Sequence, residues 1–92
     1  MEYDHEKIDE ITMALLYLGI HDETPFGARA WKGFDWDSLN RLHERGLIGD
    51  PRSGAKSVAM SPESVARARE LFQRHFALDP NDSTKENSLP AT

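Results

Sequence analysis

Leu42-His43-Glu44-Arg45-Gly46-Leu47-Ile48, followed by Asp50-Pro51-Arg52-Ser53-Gly54 and Lys56-Ser57-Val58-Ala59-Met60-Ser61-Pro62-Glu63, is the stretch that decides the fold class. It reads as a helix end, a strand, a turn, a second strand and a new helix start. Gly46 supplies the left-handed residue that closes a helix. Pro51 presets the turn backbone and Gly54 takes positive φ without strain. Val58 and Met60 fall on one face of the returning strand. Ser61 is a helix cap and Pro62 sits where its missing N–H costs nothing. A two-stranded hairpin does not stand alone, so it must lean on helices. The expected class is α+β, with three main helices and a two-stranded β-hairpin.

Outward from this stretch, one local device marks all three helix starts. Tyr3-Asp4 precedes Ile8, Phe34-Asp35 precedes Leu39, and Met60-Ser61 precedes Val65. Each is an apolar residue, a capping residue, and an apolar residue four positions beyond the cap, which is the hydrophobic-staple spacing. An acid follows in each first turn (Glu6, Asp37, Glu63), where it favours the helix dipole. The first helix is expected from His5 to Leu18, with Ile8, Ile11, Leu15 and Leu18 as its buried stripe. Its second half is apolar nearly all round. The second is expected over 36–45, with Trp36, Leu39, Leu42 and His43 inward and Asp37 pairing with Arg41. The third is expected over 62–76. In the segment 20–33, Pro25, Gly27 and Gly33 act as breakers, 28–32 is read as a helical turn, and Phe26 and Trp31 are expected to dock on the core. Residues 1–78 form the domain. Residues 79–92, with one leucine and no periodicity, read as a disordered tail.

The order helix, Gly46-Leu47-Ile48, turn, strand, Ser61-Pro62-Glu63, helix resembles the second half of a winged-helix domain over about residues 36–76. That resemblance implies a recognition helix at 36–45 and a hairpin wing. A DNA-binding winged helix also carries a further helix before the recognition helix, and here it would have to fit within 20–33. From Tyr3 to Phe76 the chain is also similar to a small bacterial family of unknown function. The stretches that carry this likeness are Ala14-Leu15-Leu16-Tyr17-Leu18, Arg29-Ala30-Trp31-Lys32-Gly33-Phe34-Asp35-Trp36-Asp37, Leu42 to Ile48, and Ala55-Lys56-Ser57-Val58. It implies no reaction, cofactor or partner.

Composition narrows the function classes. The 92 residues hold no cysteine, which excludes disulfides, thiolate metal sites and a cysteine nucleophile. The longest apolar-rich stretch, 13–18, is far below the roughly 18 residues that span a bilayer. The start of the chain is acidic where a signal peptide is basic, so a cytoplasmic address and no membrane partner are expected. The formal charge of −5 is uneven: −6 over residues 1–24, +3 over 25–78 and −2 over 79–92. An indiscriminate polyanion binder is thereby excluded, while a small basic face is not. No Gly-x-Ser-x-Gly, Walker-type, Gly-x-Gly-x-x-Gly or His-Glu-x-x-His pattern occurs. The sets His21-Asp22-Glu23 and His5/Asp9 match no metal signature. No catalytic residue, cofactor or metal is expected.

Two functional readings follow. The first is a non-enzymatic protein-interaction module, binding a protein partner or a second copy of itself. Its candidate interface is Met13, Leu16, Tyr17 and Trp31. Arg29, Trp31, Lys32, Phe34 and Trp36 set aromatics beside cations, a pattern common to interface anchors and base-stacking platforms. Against this, Trp31 and Trp36 can fill the core, with Phe34 as a staple, and that reading is preferred for Trp36 and Phe34. The second reading is a winged-helix DNA-binding regulator. Asn40, Arg41 and Arg45 would meet base edges, and Arg52 and Lys56 would hold phosphate from the wing. Asp35, Asp37 and Glu44 on or beside the same helix oppose it.

Overall fold

The order of elements is α1 (His5–Leu16), a 3-10 turn (Tyr17–Gly19), β1 (Ile20–Thr24), β2 (Gly27–Trp31), α2 (Trp36–Glu44), β3 (Ser57–Met60) and α3 (Pro62–Phe76). These come from a computed structural model that describes residues 1–78. The tail expected over 79–92 lies outside the described residues. The fold is α+β, with three helices and a three-stranded antiparallel sheet in the order β1-β2-β3.

All three expected caps form. Asp4 accepts from the Lys7 N–H at 3.0 Å, Asp35 from Ser38 at 3.1 Å and Ser61 from Ser64 at 3.1 Å. Each satisfies a donor that the first helical turn leaves orphaned. The staple beside Asp4 is open, however: Tyr3 is exposed and tilts against His5. Gly46 takes φ +75° at the end of α2, as its position requires.

The strands depart from expectation. The segment 28–32 is not a helical turn, because 27–31 is the central strand. Ala30 faces Ile20 on one side and Val58 on the other. The Pro25-Phe26 pair makes the tight turn between β1 and β2, and the Thr24 hydroxyl donates to the Gly27 carbonyl and accepts from the Phe26 N–H. The expected hairpin between 47–48 and 56–60 is corrected by this sheet: the ladder partner of β3 is β2. Leu47-Ile48 forms no strand, although the next residue, Gly49, donates to the Ala59 carbonyl at 2.8 Å. No helix occupies 20–33, so the winged-helix arrangement loses the helix that would precede a recognition helix.

Ala28, Ala30, Val58 and Met60 form the inward face of the sheet and are buried. The sheet and α1 both pack against α3, and α1 also packs against α2. The stripe of α1 is rotated from the expected one. Its buried residues are Asp9, Thr12, Met13, Ala14 and Leu16, whereas Leu18 is exposed and Ile8, Ile11 and Leu15 are half-buried. The rotation carries a carboxylate inside. Asp9 meets Arg41 of α2 in a two-pronged pair, Nε to Oδ2 at 2.7 Å and Nη2 to Oδ1 at 2.8 Å. The expected pairing of Arg41 with Asp37 is therefore replaced. The next residue of α1, Glu10, turns to α3 instead, where it accepts from Arg74 at 3.0 Å and lies 3.3 Å from His75.

Candidate functional site

Met13 and Leu16 are 1% and 0% exposed, in the chain's own core. They leave the expected interface, because the rotation of α1 points them at the sheet and α3. Tyr17 is half-buried against the Phe72 ring, with centroids 5.2 Å apart. Trp31 alone of that set stays open, at 54%. Trp36, expected inward, is half-exposed at the first turn of α2, whose buried residues are Ser38, Leu39 and Leu42. Phe34 packs against the core as a staple should. Phe26, expected to dock on the core, is 92% exposed because it occupies the hairpin turn.

Two residues of the expected nucleic-acid face, Arg41 and Arg52, are engaged by acids of the same chain. Arg41 is committed to Asp9 and also donates to the Ser38 hydroxyl at 3.2 Å. The Asp9 hydrogen bond raises its pKa above the ordinary arginine value, so the charge is permanent and engaged by Asp9. Arg52 folds back on Asp50 at 3.1 Å. Asn40 is half-buried, while Arg45 and Lys56 are exposed. Lys32, from the aromatic–cation cluster, donates to the carbonyls of Pro51 and Ser53 at 2.6 and 2.9 Å and so ties the 50–55 turn to the sheet.

What the fold does assemble is the outward face of the sheet. His21, Arg29 and Ala59 lie in one cross-strand row, and Trp31 and Ser57 in the next. The His21 ring stacks on the Trp31 indole with centroids 4.0 Å apart and planes 19° apart. His21 is itself oriented, because Nδ1 donates to the Gly19 carbonyl at 3.1 Å. A methyl group at Gly19 would press on the Trp31 backbone nitrogen at 3.3 Å, so the absent side chain gives the strand room. Arg29 donates from Nε to the Ser57 hydroxyl at 2.7 Å and from Nη2 to the Ser57 carbonyl at 2.8 Å. The face is thus a held indole beside a held guanidinium. Around the hairpin tip, Asp22, Thr24, Phe26, Arg29 and Ala59 border a shallow depression of about 270 Å³.

A second concavity of about 350 Å³ lies among α1, α2 and α3. Its floor is Met13, Leu42 and Leu71, which are at most 3% exposed. Its rim mixes Lys7, Arg45 and Arg67 with Asp4, Glu6 and Glu10. It offers little apolar surface and no single sign of charge. Among the described residues no group of three or more His, Asp or Glu side chains is placed to hold a metal ion. His21 is turned to Gly19 and Trp31, with its Nε2 3.9 Å from Oδ2 of the exposed Asp22. Among the same residues no helix is long and apolar enough to cross a membrane.

A family model described as a domain of unknown function, DUF6429, matches residues 4–78. The chain belongs to that family. The DUF6429 match spans every helix and strand described above. The chain is also 50% identical over 76 residues to the uncharacterized protein y4hR of Sinorhizobium fredii, covering 83% of this chain and 97% of that one. No solved structure matches it. The expected small bacterial family of unknown function is therefore the family found.

The sheet face was only half visible in the sequence. Gly27-Ala28-Arg29-Ala30-Trp31 does alternate, with Arg29 and Trp31 outward, but the inward positions are alanines. Alanine carries no strand preference, so the period-2 signal is weak. His21 reads as part of an acidic cluster until the strand pairing sets it beside Trp31.

Proposed function

We propose that this DUF6429 domain is a non-enzymatic protein-binding module whose contact surface is the outward face of the sheet, anchored by Trp31. The observation that carries the reading is the Trp31–His21 stack: a large aromatic, half in solvent, whose rotamer is already held. An anchor ordered before binding loses little side-chain entropy when a partner arrives. Phe26 adds a second exposed aromatic at the hairpin tip. The winged-helix reading would place contact on α2 and the 50–56 turn instead. Arg41 and Arg52 are spent there on internal acids, which weighs against it. A cytoplasmic setting belongs to the same proposal, on the cysteine-free composition.

Selection of a displayed random peptide library on the immobilised full chain tests this, with Trp31→Ala as the counter-selected surface. Enriched peptides that bind the parent at least tenfold more tightly than the variant support the module. Peptides indifferent to Trp31, or no enrichment, overturn it.

A further inference from the structure

The outward face favours one kind of occupant by size and by what its edges refuse. Three strands about 4.8 Å apart and four or five residues long cover roughly 200 Å². A stable complex of two folded proteins buries about 800 Å² per partner. A short segment fits this face better than a second copy of the chain.

Strand addition is disfavoured at both edges of the sheet. On β1 the register breaks between His21 and Thr24, and Asp22 stands at φ +51°, so the edge is bulged and acidic. On β3 the Ala59 carbonyl is already taken by the Gly49 N–H. A segment lying across the face therefore gains no ladder hydrogen bonds and must bind through side chains. That selects a chain already extended in solution, which is the polyproline conformation. Its rings stack on an exposed indole, and Trp31 stays 54% exposed beside the stacked His21.

The face also sets a register. From Trp31 to Gly27 is four strand steps, about 14 Å, which a polyproline helix rising about 3.1 Å per residue spans in four to five residues. Between these ends lies Arg29. Its Nε and Nη2 are bound to Ser57, and Nη1 makes no hydrogen bond among the described residues. Lys56 is exposed beside Ser57, the cross-strand partner of Trp31. We infer that the face binds a short proline-rich extended peptide, with a proline on Trp31, an acidic residue against Arg29 and an apolar residue in the depression beside Phe26. This rests on the sheet-face reading of the preceding subsection and names its ligand.

The test is a nitrogen–proton NMR titration of the full chain, following the Trp31 indole N–H with that of Trp36 as internal reference. Three probes are used: the capped peptide Pro-Pro-Pro-Glu-Pro-Leu-Pro, the same peptide with every proline changed to alanine, and a ten-residue oligouridine. The expected result is a saturable shift at Trp31, Arg29 and Ala59 with the first probe. Binding is expected to weaken at least tenfold with the alanine peptide and at least tenfold in Trp31→Ala, whose intact fold the Trp36 signal reports. Trp31→Phe should retain part of the affinity. Equal shifts with both peptides would overturn the proline assignment while leaving the protein-binding module standing. Shifts with oligouridine alone, concentration-dependent shifts of this face without any probe, or no shift at Trp31 would each overturn the inference.

Discussion

Replacing Arg41 with methionine leaves the Asp9 carboxylate inside the helix pair with its main partner gone. The Asp9 side chain is 4% exposed and that of Arg41 is 30% exposed, so the two ends of the bridge differ in their access to water. Removing one member of a buried pair costs about 3–5 kcal/mol, mostly from the stranded charge. Arg41 reaches solvent in part, which puts Arg41→Met near the lower figure, about 3 kcal/mol. Asp9→Leu should cost less, about 1 kcal/mol, because the freed guanidinium can turn outward and hydrate. Replacing both should bring stability back to within about 1 kcal/mol of the parent, since the low-dielectric site then holds no charge. A domain of this size has roughly 4–12 kcal/mol in all. The Arg41→Met loss therefore amounts to a fall in Tm of about 12–24 °C. Urea unfolding followed by circular dichroism, with equal slopes required across the four proteins, measures the cycle. A cost below about 1 kcal/mol for Arg41→Met, or a double variant as weak as that single one, would refute the argument that the pair is a buried, mutually required unit.

Three further outcomes follow from local geometry. Gly27→Ala places a methyl carbon 2.5 Å from the Met60 carbonyl oxygen at φ +142°, so it should cost well over about 1 kcal/mol, whereas Gly33→Ala, with open space around it, should stay within about 0.5 kcal/mol; thermal melts of the two separate these cases. Ser61→Ala removes the acceptor for the Ser64 N–H and should lower stability by about 1 kcal/mol in urea, with Ser61→Asp retaining most of it. Asp50 is held below its ordinary value of 3.8, first by the Arg52 side-chain hydrogen bond and then by the Arg52 N–H. Its stabilising contribution is thus present above the usual carboxylate range and lost as pH falls through the depressed value. In Arg52→Ala a carbon-detected NMR titration should find the Asp50 midpoint moved upward; an unmoved midpoint would contradict the contact.

Helix starts were legible in the residues because their causes are local. A capping side chain, a first-turn acid and a proline at the first helical position act within four residues, and Asp4, Asp35 and Ser61 do what their spacing indicates. The helix end at Gly46 and the whole span of α3 are local in the same sense. Membership of a small bacterial family of unknown function was legible too. The face that α1 buries was not legible. Counting apolar residues favours Ile8, Ile11 and Leu15, and nothing nearby in sequence reveals that Asp9 has a partner 32 positions away.

The sequence by itself determined three capped helices, a strand within 56–60 and a cysteine-free α+β domain. Only the tertiary structure decided that 20–31 is a hairpin, because the inward residues of β2 are alanines whose strand conformation is imposed by pairing with β1 and β3. Only the tertiary structure turned Arg41 onto the buried carboxylate of Asp9, leaving Arg45 as the exposed cation at that end of α2. It alone stacked His21 on Trp31, since two residues ten positions apart meet only when their strands pair. Local chemistry sets where an element begins; long-range pairing sets which of its faces meets water, and the candidate site follows from the second.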